Sequence, residues 1–372
     1  MARPKIIHVV VAGAIGGAER MLAGLAGGSP HHCLALMTPN PGLRALFADA
    51  GLTLCDRGPV RENPAAYLWR SFGPSDIAWL GRVLEQEGGD VFHAHTFASH
   101  VLAARAGLRF GRPVLRTEHG VRHYRDPSCA LFRHWALRHT TRIVAVSGFV
   151  ARRVGDLAPH ARGRIEVIPN GIDLARFAPL PPPGRGPFTL AAVCRLDPVK
   201  RLHLALEALA QVTDVRLDIV GEGSERGRLE RLAKRLGVED RVRFFGYLSD
   251  PRPVIAASRA VVSCTREEAL GLSLIEAAAM GRPAVALGGG GIAEVVEDGR
   301  TGWLAEGDDA AALASALRQA AADPVRAARF GVAARALAEE RFGIQAMCKR
   351  YDRVYEALAG ARTGEAQAWP TP

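Results

Sequence analysis

The sequence lacks several features that would assign it to other classes of protein. Its 372 residues contain no run of roughly 18 uninterrupted apolar residues, so we expect no membrane-spanning helix. None of the six cysteines forms a C-x-x-C pair, which argues against a zinc ribbon or a redox motif, and we expect free, mostly buried thiols. No D-x-D triplet occurs, so a divalent ion held by carboxylates is not indicated.

Acidic residues are scarce in one segment. Residues 101–165 carry thirteen arginines against Glu118, Asp126 and Asp156, a surplus that equals the +10 net charge of the whole chain. A localised basic face predicts an anionic partner, which is a phospholipid surface, a diphosphate-bearing acceptor or nucleic acid. The alternative is a solvated arginine-rich face with no partner. The segment also contains aromatic residues that could stack on bases, although no known nucleic-acid module is present: Tyr124, Phe132 and Trp135.

The length and the pattern of the chain predict two domains with parallel sheets. Short apolar runs alternate with helical patterns from KIIHVVVAG onward, and this first run breaks at Gly13 without a cleavage-type ending. We therefore interpret it as a buried strand and not as a secretory signal, and we expect a cytosolic protein. Further strands are predicted at 90–95, 113–119, 142–147 and 165–170.

Proline and glycine are concentrated at 178–187, which predicts a stiff linker between the domains. The first domain is then 1–177 and the second 188–343, with a helix at about 344–360 expected to pack back on the first. After the linker the alternation restarts with FTLAAVCR and continues through VRLDIVG, RVRFFGY, AVVSCT and PAVAL. We expect two successive doubly wound α/β units with a cleft between them, and a disordered tail, GEAQAWPTP.

The most informative segment is EEALGLSLIEAAAMG, residues 267–281. A strand ends just before it, so Glu268 should lie on a loop at the carboxyl edge of the sheet, where open α/β sheets bind ligands. Gly271 permits close approach of the backbone, and a helix starting near Ser273 would offer unpaired amides to a diphosphate. Glu276 could then accept hydrogen bonds from a ribose diol. The alternative is a capping box in which Glu276 returns to the Ser273 amide.

Two cations are expected at the same edge of the sheet. The strand FTLAAVC leads to Arg195, and Lys200 follows in a loop that also contains Asp197. Together they could neutralise a diphosphate, although surface solvation is the alternative for each. The loop GEGSERG has the spacing G-x-G-x-x-x-G and is a weak dinucleotide fingerprint, whereas Gly290 and Gly291 repeat a glycine turn before a helix start.

These residues resemble a known family. Glu268 and Glu276, separated by seven residues within E-x-L-G-L-x-x-x-E-A-x-A-x-G-x-P, are similar to the E-x7-E signature of the retaining, GT-B fold glycosyltransferases of family 4. Matching segments follow in the family's order over nearly the whole chain: GGAER, HAHT, TEHG, AVS, PNGID, RLDPVK, VGEGSERGRLE, FFGYL and GGIAEVVEDGRTGWL. The resemblance implies two Rossmann-like domains that face each other across a cleft.

The resemblance also implies roles for residues of the second half. Arg195 and Lys200 would hold the donor diphosphate, and Glu276 would bind the ribose. Glu268 would bind hydroxyls of the transferred sugar, while the backbone of Gly271, Leu272 and Ser273 approaches the sugar and the phosphates.

In the first half, His119 of the TEHG segment would reach the sugar and the reaction centre, and Gly16 and Gly17 would border the diphosphate. Two positions depart from the family pattern: Ala269 stands where a glycine is usual after the first Glu, and Cys194 where a glycine is usual before the Arg. Neither departure removes a charged group.

The expected reaction is transfer of a hexose-type sugar from a UDP- or GDP-sugar to a saccharide or lipid-linked acceptor, in the synthesis of a cell-surface polysaccharide or glycolipid. Because Arg195, Lys200 and the helix start near Ser273 would stabilise the departing diphosphate, we expect no metal and no cofactor. The resemblance implies retention of anomeric configuration. A lipid-linked acceptor would also account for the basic segment through docking on an anionic membrane.

Other functions use the same residues differently. Glu268 and Glu276 could be the carboxylate pair of a glycosidase. Further alternatives are an epimerase-like nucleotide-sugar enzyme, a glycogen-phosphorylase-like enzyme, for which no cofactor lysine site is identified, and a protein that binds anionic surfaces or nucleic acid. His93 and His95 form H-x-H, but no third ligand is spaced to complete a metal site, so we predict a structural role at the strand end.

Overall fold

The computed structural model describes residues 3–59, 72–125, 127–181, 183–184 and 186–360. The chain divides into two compact units. The first comprises Met1–Gly171 together with Ile344–Pro372, and the second is Ile172–Gly343. The predicted tail segment GEAQAWPTP lies outside the described residues.

The first unit contains a seven-stranded sheet whose neighbouring strands are all parallel. Its strands are β1 Ile6–Val11, β2 His32–Met37, β3 Thr53–Asp56, β4 Val91–Ala94, β5 Val114–Glu118, β6 Arg142–Ala145 and β7 Ile165–Val167. Its described helices are α1 Gly17–Ala26, α2 Pro41–Asp49, α3 Pro74–Glu87, α4 Phe97–Phe110, α5 Pro127–Arg138, α6 Gly148–Leu157 and α13 Ile344–Gly360.

The strand order in this sheet is β3-β2-β1-β4-β5-β6-β7. The chain therefore builds outward from β1 in one direction and then in the other, which places the topological switch point between β1 and β4. Ligands of open α/β sheets bind beyond the carboxyl ends of the strands at such a point. The loops that follow β1, β4 and β5 begin at this carboxyl edge, so the sheet brings the segments after Val11, Ala94 and Glu118 to the same edge, at or next to the switch point.

The last helix, α13, completes the core of the first unit. Its apolar face packs with residues of β1, α1 and β5, among them Ile6, Met21 and Leu115. Two buried tyrosines of this helix also make hydrogen bonds to the sheet. The hydroxyl of Tyr355 lies 2.8 Å from His93 Nδ1, and that of Tyr351 lies 3.0 Å from Thr117 Oγ1.

The second unit contains a six-stranded parallel sheet with the order β10-β9-β8-β11-β12-β13. Its strands are β8 Phe188–Val193, β9 Val215–Val220, β10 Val242–Gly246, β11 Ala260–Ser263, β12 Ala284–Leu287 and β13 Gly302–Ala305. Its described helices are α7 Leu202–Leu209, α8 Arg226–Arg235, α9 Arg252–Ala257, α10 Leu272–Ala279, α11 Ala310–Ala322 and α12 Pro324–Arg341. The switch point lies between β8 and β11, whose following loops carry Lys200 and Glu268.

The prediction of a linker at 178–187 between the domains was wrong. The compact units divide at Gly171 and Ile172, before the segment begins, and the segment belongs to the second unit. The buried guanidinium of Arg282 explains why: it donates to the carbonyl oxygens of Leu180 at 2.9 Å and Pro181 at 2.7 Å, and to that of Ala256 at 2.9 Å. Leu180 and Pro181 are therefore held against the second unit and do not form part of a free linker.

Each strand that the sequence predicted is present, with shorter bounds. The segment 165–170, for example, contains the strand Ile165–Val167, and 113–119 contains Val114–Glu118. Strands β2, β3 and β13 were not predicted. In the part of the chain that the structure describes, none of the helices combines the length and the apolar character needed to span a bilayer.

Candidate functional site

The carboxyl edge of the second sheet brings together two of the predicted residues. Lys200 lies on the loop after β8, and Glu268 on the loop after the adjacent strand β11. The Lys200 ammonium donates to Glu268 Oε2 at 2.6 Å, and both side chains are about 20% exposed. This ion pair lies at the switch point of the sheet, the position where a doubly wound fold binds ligands.

Arg195 lies on the same loop as Lys200 but has a different partner. Its guanidinium is 2.9 Å from the carboxylate of Asp197, and its side chain is 65% exposed. The arginine is thus held by a residue two positions away and stays open to solvent. The charges of this loop and of Glu268 surround the Cys194 thiol, whose pKa burial raises to about 11, with Lys200 opposing the increase and Glu268 and Asp197 adding to it.

The helix α10 begins beside Glu268. Its N-cap is Gly271, whose φ of 91° lies in the left-handed region that glycine adopts without strain. The first bond of the helix runs from the Leu274 amide to the Gly271 carbonyl, so the amides of Leu272 and Ser273 precede the intrahelical bonds. Such amides form a site for anions.

This geometry excludes the capping box. The helix starts at Leu272, one residue earlier than predicted, and Ser273 lies inside its first turn. A capping residue must precede the helix, and no side chain caps this one. Glu276 is a half-buried residue in the following turn.

The loop of Glu268 is held by the glycine-rich segment after β12. The Gly291 amide donates to the Glu268 carbonyl at 2.7 Å. A Cβ atom at Gly289, Gly290 or Gly291 would lie 2.1 to 2.3 Å from a carbonyl oxygen of the loop 266–269, so only glycine fits at these positions. The glycine-rich segment therefore packs directly against the backbone of the Glu268 loop and fixes its position.

Two further glycines hold the Arg195 loop in the same way. A Cβ at Gly221 would lie 1.8 Å from the Cys194 carbonyl oxygen, and one at Gly223 2.5 Å from that of Leu196. The Leu196 amide donates to the Glu222 carbonyl, and its carbonyl accepts from the Glu225 amide, both at 2.9 Å. The GEG segment thus fixes the loop that carries the predicted cations, a role that its weak resemblance to a dinucleotide fingerprint did not indicate.

Two further basic residues belong to this edge and were missed from the sequence. Arg201 follows Lys200 in the left-handed conformation, with φ 52°, and pairs with Asp308. Arg266, on the loop of Glu268, lies 3.4 Å from the same carboxylate and is 76% exposed. The signal available in the sequence was the adjacency of Arg201 to Lys200 and of Arg266 to the Glu-Glu pair.

The first unit carries the remaining predicted residues at its own carboxyl edge. Gly16 is the N-cap of α1, and its amide donates to Glu19 Oε2 at 2.9 Å; Gly17 is the first residue of that helix. His119 directly follows β5. Burial, and after it the Arg116 cation, lower the pKa of His119 to about 3 against the opposing effect of Glu118, so its imidazole is neutral at physiological pH.

Not every arginine of the basic segment lies on the surface. Arg116 is 2% exposed and forms a two-pronged ion pair with the buried Glu118, at 3.0 Å for each contact. Tyr124, which the sequence offered for base stacking, is buried and donates its hydroxyl to Glu118 Oε1 at 2.6 Å. This cluster belongs to the interior, and neither residue is available to a surface partner.

Other arginines of the segment are exposed on the first unit. Arg138, Arg152 and Arg162 are exposed. The rings of His134 and His160 lie 6.0 Å apart, and the pKa of His160 is lowered by partial burial and then by Arg138 and other basic neighbours. Arg162 pairs with Asp156, but both side chains are 63% exposed and such a pair contributes little.

His93 and His95 lie close to a third histidine, His8, which is distant from them in the sequence. His8 of β1 pairs with His93 across the sheet, and ligand-capable atoms of His8, His93 and His95 lie within 4.8 Å of one another. The spacing in the sequence did not indicate this third histidine, because parallel pairing joins residues that are distant in sequence.

Comparison with known proteins matches each of the two units to a glycosyltransferase family model. The family model described as "Glycosyltransferase Family 4" matches residues 15–176, and "Glycosyl transferases group 1" matches residues 181–337. A glycogen synthase of Mycobacterium tuberculosis is 33% identical over 298 residues, which cover 76% of this chain and 71% of that protein. A D-inositol 3-phosphate glycosyltransferase of Streptomyces avermitilis is 30% identical, covering 88% of this chain and 76% of the relative.

The fold has solved counterparts. The crystal structure of Anabaena Alr3699/HepE in complex with UDP-glucose superposes with a TM-score of 0.83 at 23% identity and covers 95% of this chain and 100% of the other. A sucrose-phosphate synthase of Thermosynechococcus elongatus superposes with a TM-score of 0.79 at 22% identity, over 96% of this chain and all of that one. With these matches, and with the sequence relatives above, the chain belongs to the family 4 glycosyltransferases of the GT-B fold.

Proposed function

We propose that this glycosyltransferase transfers a hexose-type sugar from a UDP- or GDP-sugar to a saccharide or lipid-linked acceptor, with retention of configuration and without a metal ion. The observation that carries the proposal is the ion pair of Lys200 and Glu268 beside the start of α10. It places a cation, a carboxylate and unbonded helix amides at the switch point of the second sheet. A nucleoside diphosphate requires the positive groups, and a sugar requires the carboxylate.

The roles of the residues follow from their chemistry. Lys200 and the exposed Arg195 neutralise the departing diphosphate, together with the amides of Leu272 and Ser273. Glu268, which Lys200 holds through its ion pair, accepts hydrogen bonds from sugar hydroxyls, and Glu276 binds the ribose. On the family resemblance, His119 contacts the transferred sugar, and Gly16 and Gly17 lie next to the diphosphate.

Positive potential from the protein replaces a divalent ion in this proposal. Among the described residues, two groups of side chains lie close enough together to hold a metal ion, and both belong to the first unit: His8, His93 and His95, and Cys33, Cys55 and Glu87. The diphosphate-binding loops of the second unit instead offer Lys200 and Arg195. Activity is accordingly expected to persist in excess EDTA.

The test combines binding and turnover. A panel of nucleoside diphosphates and nucleotide sugars should raise the thermal unfolding temperature of the native protein, since a ligand of the folded state stabilises it by mass action. Lys200→Ala and Arg195→Ala should each lower turnover on the order of 10²-fold, comparable to the loss of one oxyanion donor. Unchanged rates in both variants would overturn the assignment.

A matched control is available on α8. Lys234 is an exposed lysine in the last turn of that helix, which runs back from the carboxyl edge and so ends away from it. Lys234→Ala removes the same charge from the same unit and should leave both nucleotide binding and turnover unchanged. Hydrolysis of simple glycosides without nucleotide would instead identify the carboxylates as a glycosidase pair.

A second part of the proposal is docking of the first unit on an anionic membrane. The exposed Arg138, Arg152 and Arg162 support it, because each basic residue near such a surface contributes roughly 1 kcal/mol. Binding should be stronger to phosphatidylglycerol vesicles than to phosphatidylcholine vesicles and should fall with salt. Arg138→Glu with Arg152→Glu should abolish this preference, whereas Arg231→Glu with Arg235→Glu, on exposed positions of α8, should not. Equal partitioning to both vesicles would refute it.

A further inference from the structure

Four imidazoles form a continuous chain through the first unit. The ring of His32 lies 2.8 Å from His8, measured from His32 Nδ1 to His8 Nε2, and His8 Nδ1 lies 2.9 Å from His95 Nε2. The third contact, from His95 Nδ1 to His119 Nε2, is 3.4 Å. Each link joins the Nδ1 of one ring to the Nε2 of the next, so the chain runs in one sense from His32 to His119.

The register of the sheet produces this chain. The four histidines lie on or directly after β2, β1, β4 and β5, which are consecutive neighbours. His32 is paired with Ile6, and His8 lies two residues further along β1; His8 is paired with His93, and His95 lies two residues further along β4. His93 is paired with Leu115, so His119 is again two residues beyond the position opposite His95. A step of two residues keeps all four side chains on one face.

The ring protons of these four histidines can be arranged in only two ways that keep all three hydrogen bonds. Burial lowers the pKa of each of the four rings, so each is neutral near pH 7 and carries one proton. Each of the three links needs one N–H and one bare nitrogen. Either every ring is protonated on Nε2 and the spare N–H lies on His32, or every ring is protonated on Nδ1 and the spare N–H lies on His119. The tautomer of His119 is therefore coupled to that of His32.

The groups around the two ends of the chain favour the first state. The outer side of His32 lines a cavity of about 150 Å³ together with Asp352, Glu356, Arg3 and His31. Of these charges, Asp352 acts most strongly and favours a proton on His32, against His31 and Arg3. A spare N–H on His32 therefore faces a cavity that contains two carboxylates, whereas a spare N–H on His119 would lie on a buried Nδ1 that has no acceptor among the described residues. The surroundings of the two ends thus favour the state with the spare proton on His32.

We propose that His32, His8 and His95 are positioning residues that hold His119 as the Nε2–H tautomer, so that its Nδ1 is a bare acceptor for a hydroxyl of the transferred sugar. This inference rests on the proposed function for the identity of the hydroxyl, although the tautomer itself does not depend on it. His119 Nδ1 is a buried atom without a hydrogen-bond partner among the described residues. A ligand hydroxyl that donates to it would complete the last imidazole of the chain.

The same rings do not form a metal site. Both nitrogens of His8 and of His95 bond to other imidazoles, and those of His93 lie 2.8 Å from Tyr355 Oη and from Thr117 Oγ1. His93 and His95 also overlap, with ring centroids 4.0 Å apart. A shared ion would have to break these hydrogen bonds, so the nitrogens are arranged for proton sharing.

Nitrogen-15 NMR of the full-length protein tests the tautomers without any substrate. In protein labelled on histidine, two-bond correlations distinguish Nε2–H, Nδ1–H and charged rings. The expected spectrum shows His8, His32, His95 and His119 as neutral Nε2–H tautomers near pH 7. A neutral His119 protonated on Nδ1, or a charged His95, would overturn the proposal. So would loss of these N–H signals when Zn²⁺ is added at one equivalent, because the rings would then be ligands.

Two substitutions test whether the tautomer of His119 depends on the hydrogen bonds between the histidines or only on the packing of a buried ring. His8→Phe keeps a buried ring but breaks two links, and His119 should then show both tautomers. The control is His93→Phe: His93 is the cross-strand neighbour of His8, is equally buried and also makes two hydrogen bonds, but lies outside the chain. His119 should stay Nε2–H in this control. If His8→Phe does not fold, Asp352→Asn, at the partly exposed end, provides the same test, since removing the carboxylate should raise the Nδ1–H population of His119.

Kinetics then connects the tautomer to the sugar. His8→Phe should lower kcat/KM for the nucleotide sugar about 10-fold, the usual effect of one lost hydrogen bond, with little change in affinity for the nucleoside diphosphate alone. Mixed tautomers with an unchanged kcat/KM would overturn the link to the sugar. If the protein transferred no sugar at all, the proposed function would fail, and the NMR result would still decide whether the chain sets the tautomer of His119.

Discussion

Replacing Gly290 with alanine should disturb the Glu268 loop while leaving every charged group in place. Gly290 has a φ of 66°, and a Cβ atom there would lie 2.3 Å from the Glu268 carbonyl oxygen and 2.7 Å from its amide nitrogen. Both contacts are to backbone, so rotation of a side chain cannot relieve them. The loop must move or the substitution must be absorbed as strain.

The size of the effect follows from two contributions. The left-handed conformation costs an alanine roughly 1–2 kcal/mol, and overpacking against a fixed neighbour costs about 1–3 kcal/mol. If the structure does not relax, the second unit should lose on the order of 2–5 kcal/mol of unfolding free energy. If the loop moves instead, the stability loss is smaller, but the Gly291–Glu268 hydrogen bond breaks and Glu268 shifts away from Lys200.

Both outcomes are measurable with one matched control. Gly288 is two residues away and exposed, and a Cβ there would come no closer than 4.0 Å to another residue, so Gly288→Ala should be neutral. Hydrogen exchange of β11 and β12 reports the stability of the second unit, and titration with UDP and GDP reports the site. If Gly290→Ala equals Gly288→Ala in both measurements, the glycine segment does not support the Glu268 loop.

Three further predictions concern stability. Arg282→Met should destabilise the second unit by about 3 kcal/mol in urea denaturation, because three carbonyl oxygens lose a buried donor at roughly 1 kcal/mol each. If the unfolding free energy falls by less than about 1 kcal/mol, water replaces the guanidinium. Tyr355→Phe should lower the unfolding free energy of the first unit by about 1–3 kcal/mol, because His93 Nδ1 loses its buried hydrogen-bond partner. Amide hydrogen exchange should become faster in α13 and stay unchanged in α12. The first unit should also lose stability as the pH falls below about 6.5, because its buried histidines have lower pKa values in the folded state than in the unfolded state. The unfolded chain then binds more protons, and each such ring lowers the unfolding free energy by up to ~1.4 kcal/mol per pH unit. Pulsed hydrogen exchange should show the first unit opening before the second between about pH 6 and about pH 4.

The sequence predicted the α/β class and most strands of the two sheets from apolar runs bounded by turns. It missed β3 and β13, which have only four residues each, and also β2, a buried strand of six residues whose apolar run was not used. In β3, for example, Thr53 and Asp56 are exposed, so the strand has little apolar signal. The linker prediction failed for another reason. Local composition shows that 178–187 is not a helix or strand, but it cannot show that Arg282, about a hundred residues later, fixes its carbonyls.

The candidate site was partly predictable because its residues lie where strands end. Position relative to a strand is a local property, and it indicated Lys200 and Glu268, whereas His119 was indicated only by the family resemblance of its TEHG segment. Pairing is not local. The contact of Lys200 with Glu268, the partner of Arg195 and the alignment of His8 and His32 with His95 depend on which strands are neighbours and in what register. A histidine inside an otherwise apolar strand was the available signal for His8.

The return of α13 to the first unit has a consequence for synthesis of the protein. A ribosome makes residues 1–171 first, but Tyr351 and Tyr355, which cover the sheet there, emerge only after the whole of 172–343. The second unit is contiguous and can complete its core as it leaves the exit tunnel, whereas the first must wait with an apolar face uncovered. The earliest part of the chain to be made is therefore the last to finish folding.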